Sequence, residues 1–189
     1  MLGDNPTPLK QLAAQHAALH ALSELIDRQP ALVDEHCHAI FAQLFAACEP
    51  RRGAPFEVVA AAERALAAVA TRSPRPRRVL HALLPFALGA TAAQRCALRA
   101  LAKAVPRVAR AELVDALGEL LRGVVGALAS VLLDVRKAAV DCLVELHLAL
   151  GEDALGPELR PLLRDEQQKL VDWYVAKRVA QREEAACAS

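Results

Sequence analysis

The chain has 189 residues, a net charge of +1 at pH 7, 54% hydrophobic residues and only 3% aromatic ones. That length suits one domain with a sizeable core, and an alanine- and leucine-rich chain with few strand formers favours helices. A near-neutral chain has no global field to draw in DNA, RNA or an anionic membrane.

The opening MLGDNPTPLK has no apolar segment of the signal-peptide type, and residues 1–7 read as a flexible N-terminus. Beyond it, Ala14, Ala17, Ala18, Ala21, Leu22 and Leu25 fall at offsets 0, 3, 4, 7, 8 and 11, one face of an α-helix. His16 and His20 stand four apart, a spacing that can bind zinc, but they map to the solvated side with no third ligand nearby. Neither a metal nor a cofactor is expected.

A second helix is predicted over Ala31–Cys48, after Pro30 and before the breaker run EPRRGAP. Its Glu35, His36, Cys37 and His38 are adjacent in sequence, so on a helix they point different ways and compose no catalytic pair. Val58, Ala61, Ala62, Ala65, Leu66 and Val69 repeat the first template 44 residues on. The connector TRSPRPRR at 71–78 carries Arg72, Arg75, Arg77 and Arg78, the one basic cluster. It reads as a solvated proline-rich link. The alternative is a seat for an acidic or nucleic-acid partner, although no aromatics interleave to stack bases.

Arg77–Leu88 is the next helix, with Pro85 placed to kink its last turn. Ala93, Cys96, Ala97, Ala100, Leu101 and Ala104 give the template again 35 residues on. Ala109–Ser130 contains Gly118, Gly123 and Gly126, which cost helix propensity but permit close packing. The run Val124–Leu133 is ten residues without a charge, and a membrane-spanning helix needs about 20.

The stretch DVRKAAVDCLVEL at 134–146 carries the template a fourth time, 42 residues further, in Val135, Ala138, Ala139, Cys142, Leu143 and Leu146. Val140, Val144 and Leu148 add a second apolar strip, and Lys137, Asp141 and Glu145 form a solvated stripe. A helix buried on two sides belongs in a stack. Asp134 is expected at the N-cap, with Arg136 bonding at the turn before it. A short helix over Pro157–Leu163 and a closing helix over about Glu166–Glu184 follow, then a flexible tail at 185–189. Leu170, Trp173 and Tyr174 are expected to bury against the helix that begins at Val135.

Four copies at 35–44-residue spacing indicate helical hairpins of about the 40–47-residue HEAT or armadillo period. The fold expected is all-α: a right-handed α-solenoid of eight or nine helices over residues 8–184, in about four hairpins plus a capping helix. The first hairpin lacks its first helix, so earlier repeats are expected upstream. The five cysteines, Cys37, Cys48, Cys96, Cys142 and Cys187, are odd in number and form no CxxC pair, which favours a reducing compartment over a disulfide framework. There is no GxGxxG, P-loop or GxSxG, and no enzyme activity or small-molecule substrate is expected.

DVRKAAVDCLVELHLALG at 134–151, ELRPLL at 158–163 and KLVDWYVAKR at 169–178 resemble the end of the C-terminal HEAT-repeat domain of the CLASP family, the cytoplasmic-linker-associated, microtubule-stabilising proteins. PFEVVAAAERALAAVA at 55–70 and LSELIDRQPALV at 22–33 fit preceding repeats, so the resemblance covers most of residues 12–180. Departures are an extra residue in the closing helix, a more basic loop at 71–78, and no repeats before the region of residue 8. The resemblance implies a cytoplasmic, cytoskeletal module of microtubules and the spindle, binding microtubule plus-end or kinetochore adaptors, with tubulin as a second expectation. It implies neither membrane insertion nor nucleic-acid binding. In the related tubulin-binding TOG domains the turns before VR-type helices touch the partner, and a tryptophan leads the first one. Trp173 lies in the closing helix and does not fill that role. On this likeness the partner edge would hold Arg51, Arg52, Arg136 and Lys137, with Arg72 to Arg78 on the opposite edge.

Overall fold

The computed structural model describes residues 8–48, 56–89 and 93–187, with side chains from Ala13 on. Among the described residues there are ten α-helices, two 3-10 turns and no strand. The helices are α1 (Pro8–Arg28), α2 (Pro30–Glu35), α3 (Cys37–Cys48), α4 (Phe56–Arg72), α5 (Pro76–Leu88), α6 (Ala93–Ala104), α7 (Arg110–Leu128), α8 (Leu133–Leu150), α9 (Glu152–Leu159) and α10 (Asp165–Cys187).

Local chemistry explains why these outnumber the expected eight or nine. The helix predicted over 31–48 breaks at His36, whose φ of −107° and ψ of 13° leave the helical region. Downstream, Gly151 at φ +74° closes α8 and lets the chain re-enter a helix at once, so α9 begins at Glu152 rather than Pro157. α10 runs to Cys187, past the position where a tail was expected. Residues 1–7 lie outside the described residues.

The helices stack in two layers as an α-solenoid. In one layer α1 packs on α4, α4 on α6, α6 on α8 and α8 on α10; in the other α3 packs on α5, α5 on α7 and α7 on α9. α3 with α4, α5 with α6 and α7 with α8 pack together as neighbours in sequence. All template positions in α4, α6 and α8 are buried, from Val58 to Leu146. α7 and α5 approach closely at Gly123, where a Cβ would sit 3.5 Å from the Ala87 carbonyl and Leu88. Gly118 and Gly126 have no such neighbour, so the expectation of close packing holds at Gly123 alone.

The first template copy behaves differently. Ala14, Ala17, Ala18 and Ala21 are exposed, and α1 buries Leu19 and Ile26 instead. α4 and α2 are its main neighbours, so among the described residues the face that its counterparts bury between two helices is packed mainly on one side.

Two expectations are corrected at the other end. Asp134 is not the N-cap: Leu132 occupies that place, and Asp134 sits in the first turn, 3.8 Å from the guanidinium of Arg95. Nor do Leu170, Trp173 and Tyr174 bury; Trp173 is 56% exposed. α10 turns Val171 and Val175 to the core. On the same face, Arg178 and Arg182 reach Glu145 of α8, at 4.0 and 2.8 Å. Offsets of 0, 4, 7 and 11 put those four side chains on one stripe, and that stripe fixes the rotation of α10. Glu145, expected in solvent, is thereby largely covered. Trp173 packs edge-on against Tyr174, with Lys177 Nζ 5.1 Å from its ring centre.

Leu143, fully buried in α8, should therefore carry stability where Trp173 does not. Leu143→Ala is expected to cost about 2–5 kcal/mol, and Trp173→Ala no more than about 1 kcal/mol. Urea denaturation of the two variants beside the parent chain checks the order.

Candidate functional site

Leu133, Arg136, Lys137, Val140 and Asp141 occupy positions 0, 3, 4, 7 and 8 of one stripe on α8. Gln167, Leu170, Val171 and Tyr174 occupy 0, 3, 4 and 7 of a stripe on α10. The two stripes face each other and, with Leu128 of α7, line a groove of about 390 Å³. Its walls are apolar and partly exposed, notably at Leu133, Leu170 and Tyr174. Its charged groups are Arg136, Lys137 and Asp141.

Leu133 also lines a second groove of about 370 Å³, with Leu132, Asp134, Val135, Arg95, Val59 and Cys48. The turn ahead of α8 thus stands as an apolar ridge between two grooves, topped by Val131, which is 91% exposed. Such a contiguous exposed strip on an otherwise well-packed chain is a candidate interaction surface.

Arg136 and Lys137 differ in availability. Arg136 Nη1 donates to the carbonyls of Ser130 and Val131 at 2.7 and 3.1 Å, tying the turn to its helix. Lys137 is exposed and pairs with no carboxylate among the described residues. Arg51 and Arg52 lie outside the described residues. Cys48, just before that segment, lines the same groove as the α8 turn.

The basic connector is committed to the fold. Arg72 pairs with Asp27 of α1, and Arg77 lies 3.7 Å from Glu112 of α7. Arg75 and Arg78 both stand 3.7 Å from Oδ2 of Asp34, a carboxylate only 1% exposed. Ser73 Oγ donates to the other oxygen of Asp34 at 2.5 Å and accepts from the Arg75 backbone N–H at 3.1 Å. A buried charge needs such partners, and this knot joins α2 to the α4–α5 connector. It lies at the C-terminal end of α4, whereas Glu63 of α4 links to Arg95 and Arg99 of α6, and Arg95 to Asp134, toward the other edge.

The remaining candidates converge on nothing. Among the described residues, no group of three or more His, Cys, Asp or Glu is placed to hold a metal ion. His16 and His20 are exposed, and His20 faces Glu24 at 3.7 Å. Cys37 is buried while Glu35, His36 and His38 point to solvent, and burial, with Asp34 nearby, pushes the Cys37 thiol pKa up. Among the described residues no helix is long and apolar enough to cross a membrane.

The two-stripe groove was not anticipated. Its signal was available in Val131–Leu132–Leu133, an apolar run ahead of a helix start, and in the matching offsets on the last two long helices.

No protein-family model matches the chain. Over 177 residues, 93% of the chain, it is 28% identical to CLIP-associating protein 1-A of Xenopus laevis. The chain spans 11% of that relative's length. The likeness is distant.

The Asp34 knot makes a direct prediction. Asp34→Ala should lower stability by about 1.5–3 kcal/mol, the range for hydrogen bonds to a charged group. Reversing Arg75 and Arg78 to Glu should also destabilise the chain, by setting carboxylates against a buried one. Denaturant midpoints for both variants test whether the connector is structural.

Proposed function

We propose that this chain is a protein-docking module of a CLASP-like, microtubule-associated protein. On this reading it is a non-catalytic HEAT-type scaffold that works in the cytoplasm on the microtubule cytoskeleton and spindle. Its partners are microtubule plus-end or kinetochore adaptors rather than small molecules. The observation that carries the reading is the groove between α8 and α10, two facing helical stripes with, at the rim, a lysine that pairs with no carboxylate among the described residues. Support comes from the distant likeness to a CLIP-associating protein across nearly the whole chain.

The groove suits a partner segment that presents apolar side chains at helical spacing and an acidic group opposite Lys137. Such a segment gains affinity from apolar burial, while the rim charge acts mainly on association rate and register. Direct tubulin capture has less support, because no aromatic stands on the described part of the turn edge. An anionic partner at Arg72, Arg75, Arg77 and Arg78 is also disfavoured, since each of the four faces a carboxylate of this chain.

The test is affinity capture from mitotic cytosol with identification of bound proteins, run beside microtubule co-pelleting. Microtubule-associated adaptors should be captured by the parent chain. Lys137→Glu combined with Tyr174→Ala should weaken their binding by about tenfold or more at an unchanged melting temperature. Failure to enrich any microtubule-associated protein, or capture indifferent to the groove variant, would overturn the reading.

A further inference from the structure

The groove between α8 and α10 carries two charges that the fold does not answer. Lys137 and Asp141 both line it and both are exposed. Neither pairs with an opposite charge among the described residues. They stand four residues apart on α8, a spacing at which an acid and a base on one helix can meet, yet they form no ion pair with each other.

The polar groups around them are committed. Arg136 donates to the carbonyls of Ser130 and Val131. Gln167 Oε1 accepts from the Arg164 backbone N–H at 3.0 Å, at the start of α10. The second groove differs in this respect: its Arg95 and Asp134 stand 3.8 Å apart and answer each other. Open charge of both signs is therefore a property of the α8–α10 groove.

The apolar walls set the spacing of an occupant. Leu133 and Val140 lie two turns apart on α8, and Leu170 and Tyr174 one turn apart on α10. A helix laid between them would meet these side chains with apolar residues at i, i+3 or i+4, and i+7. An extended segment would bring backbone N–H and C=O groups against apolar walls, and no strand among the described residues offers an edge to pair with them. A helix satisfies its own backbone. Lys137 and Asp141 are separated by about 6 Å along the axis of α8, which matches two charges one turn apart on a neighbouring helix.

We propose that this groove selects an amphipathic helix of a partner protein by an acid and a base one turn apart on that helix, the acid meeting Lys137 and the base meeting Asp141. The inference rests on the docking reading of the same groove and adds what the groove recognises. Apolar burial supplies the affinity. The two exposed ion pairs contribute little individually, but they set register and discriminate among apolar helices. Lys137 lies nearer the start of α8, so the order of the pair reports direction: acid before base runs parallel to α8, base before acid antiparallel. Once the apolar stripe fixes how the helix lies, exchanging the two charges sets like against like.

The probe is a displayed library of randomised short helical peptides, selected on the full chain. Enriched peptides should carry the apolar spacing together with an acid and a base one turn apart. For a synthesised member, fluorescence anisotropy should show binding weakened about three- to tenfold by Lys137→Glu and by Asp141→Lys, with melting temperatures unchanged. The double variant Lys137→Glu/Asp141→Lys should prefer the same peptide with its acid and base exchanged. Peptides enriched without the charge pair, binding indifferent to both reversals, or self-association of the chain with no peptide enriched would each overturn the proposal. Its failure is distinct from failure of the docking function. A groove that reads the charge pair but captures no microtubule-associated protein from cytosol sinks only the latter. Captured adaptors that depend on Tyr174 but not on the charge pair sink only the former.

Discussion

Everything in this molecule depends on how closely α4, α6 and α8 approach one another. Alanine supplies much of each contact face: Ala61, Ala62 and Ala65 on α4, Ala93, Ala97, Ala100 and Ala104 on α6, Ala138 and Ala139 on α8, all buried. Short side chains at a contact face permit close approach of neighbouring helix axes. Equivalent helix ends then fall side by side. That is why Glu63 can span to Arg95 and Arg99, why Arg95 can also face Asp134, and why Arg107 can donate to the Ala70 carbonyl at the opposite edge. The ion pairs are half-exposed and individually weak. Their value is in register, because each lies between successive helices of the stack.

Periodicity identifies a helical face but not what covers it, and the four template copies separate the two. Three copies are buried at every position; the fourth, on α1, has the same spacing and leaves its alanines in solvent. Helix phase is a local property and was legible. Burial requires a neighbour on each side, which no local pattern records. The same distinction explains α10. Leu170, Val171, Trp173, Tyr174 and Val175 compose overlapping apolar stripes, and size alone favoured the aromatics for the core. The choice between stripes was made by Glu145, one layer away, which holds Arg178 and Arg182. Valine and arginine together define the contact face, and hydrophobicity alone could not find it.

The charged residues were legible by position and not by role. Four arginines between residues 72 and 78 look like a free cluster because the carboxylates they answer are remote in sequence: Asp27, Asp34 and Glu112. The basic pair at the start of α8 looked like one unit, yet the fold divides it. Arg136 is spent on the carbonyls of its own turn, while Lys137 is exposed and pairs with no acid among the described residues. A guanidinium with several donors suits the first task, and a single mobile ammonium suits the second.

The groove and the exposed aromatics share one cause. α8 is covered along one flank by α6 and α7, while α10 turns to it a stripe of two buried valines and two arginines. A wider apolar contact would have drawn Leu170 and Tyr174 inward and closed the space beside Leu133 and Val140. Rotation about the Glu145 pairs instead leaves those side chains as walls of an open groove. An ion pair at such a junction adds little stability for its burial cost; its structural consequence is the angle at which the last helix meets the stack. By holding α10 in that rotation, Glu145 keeps apolar surface at the solvent boundary rather than in the core.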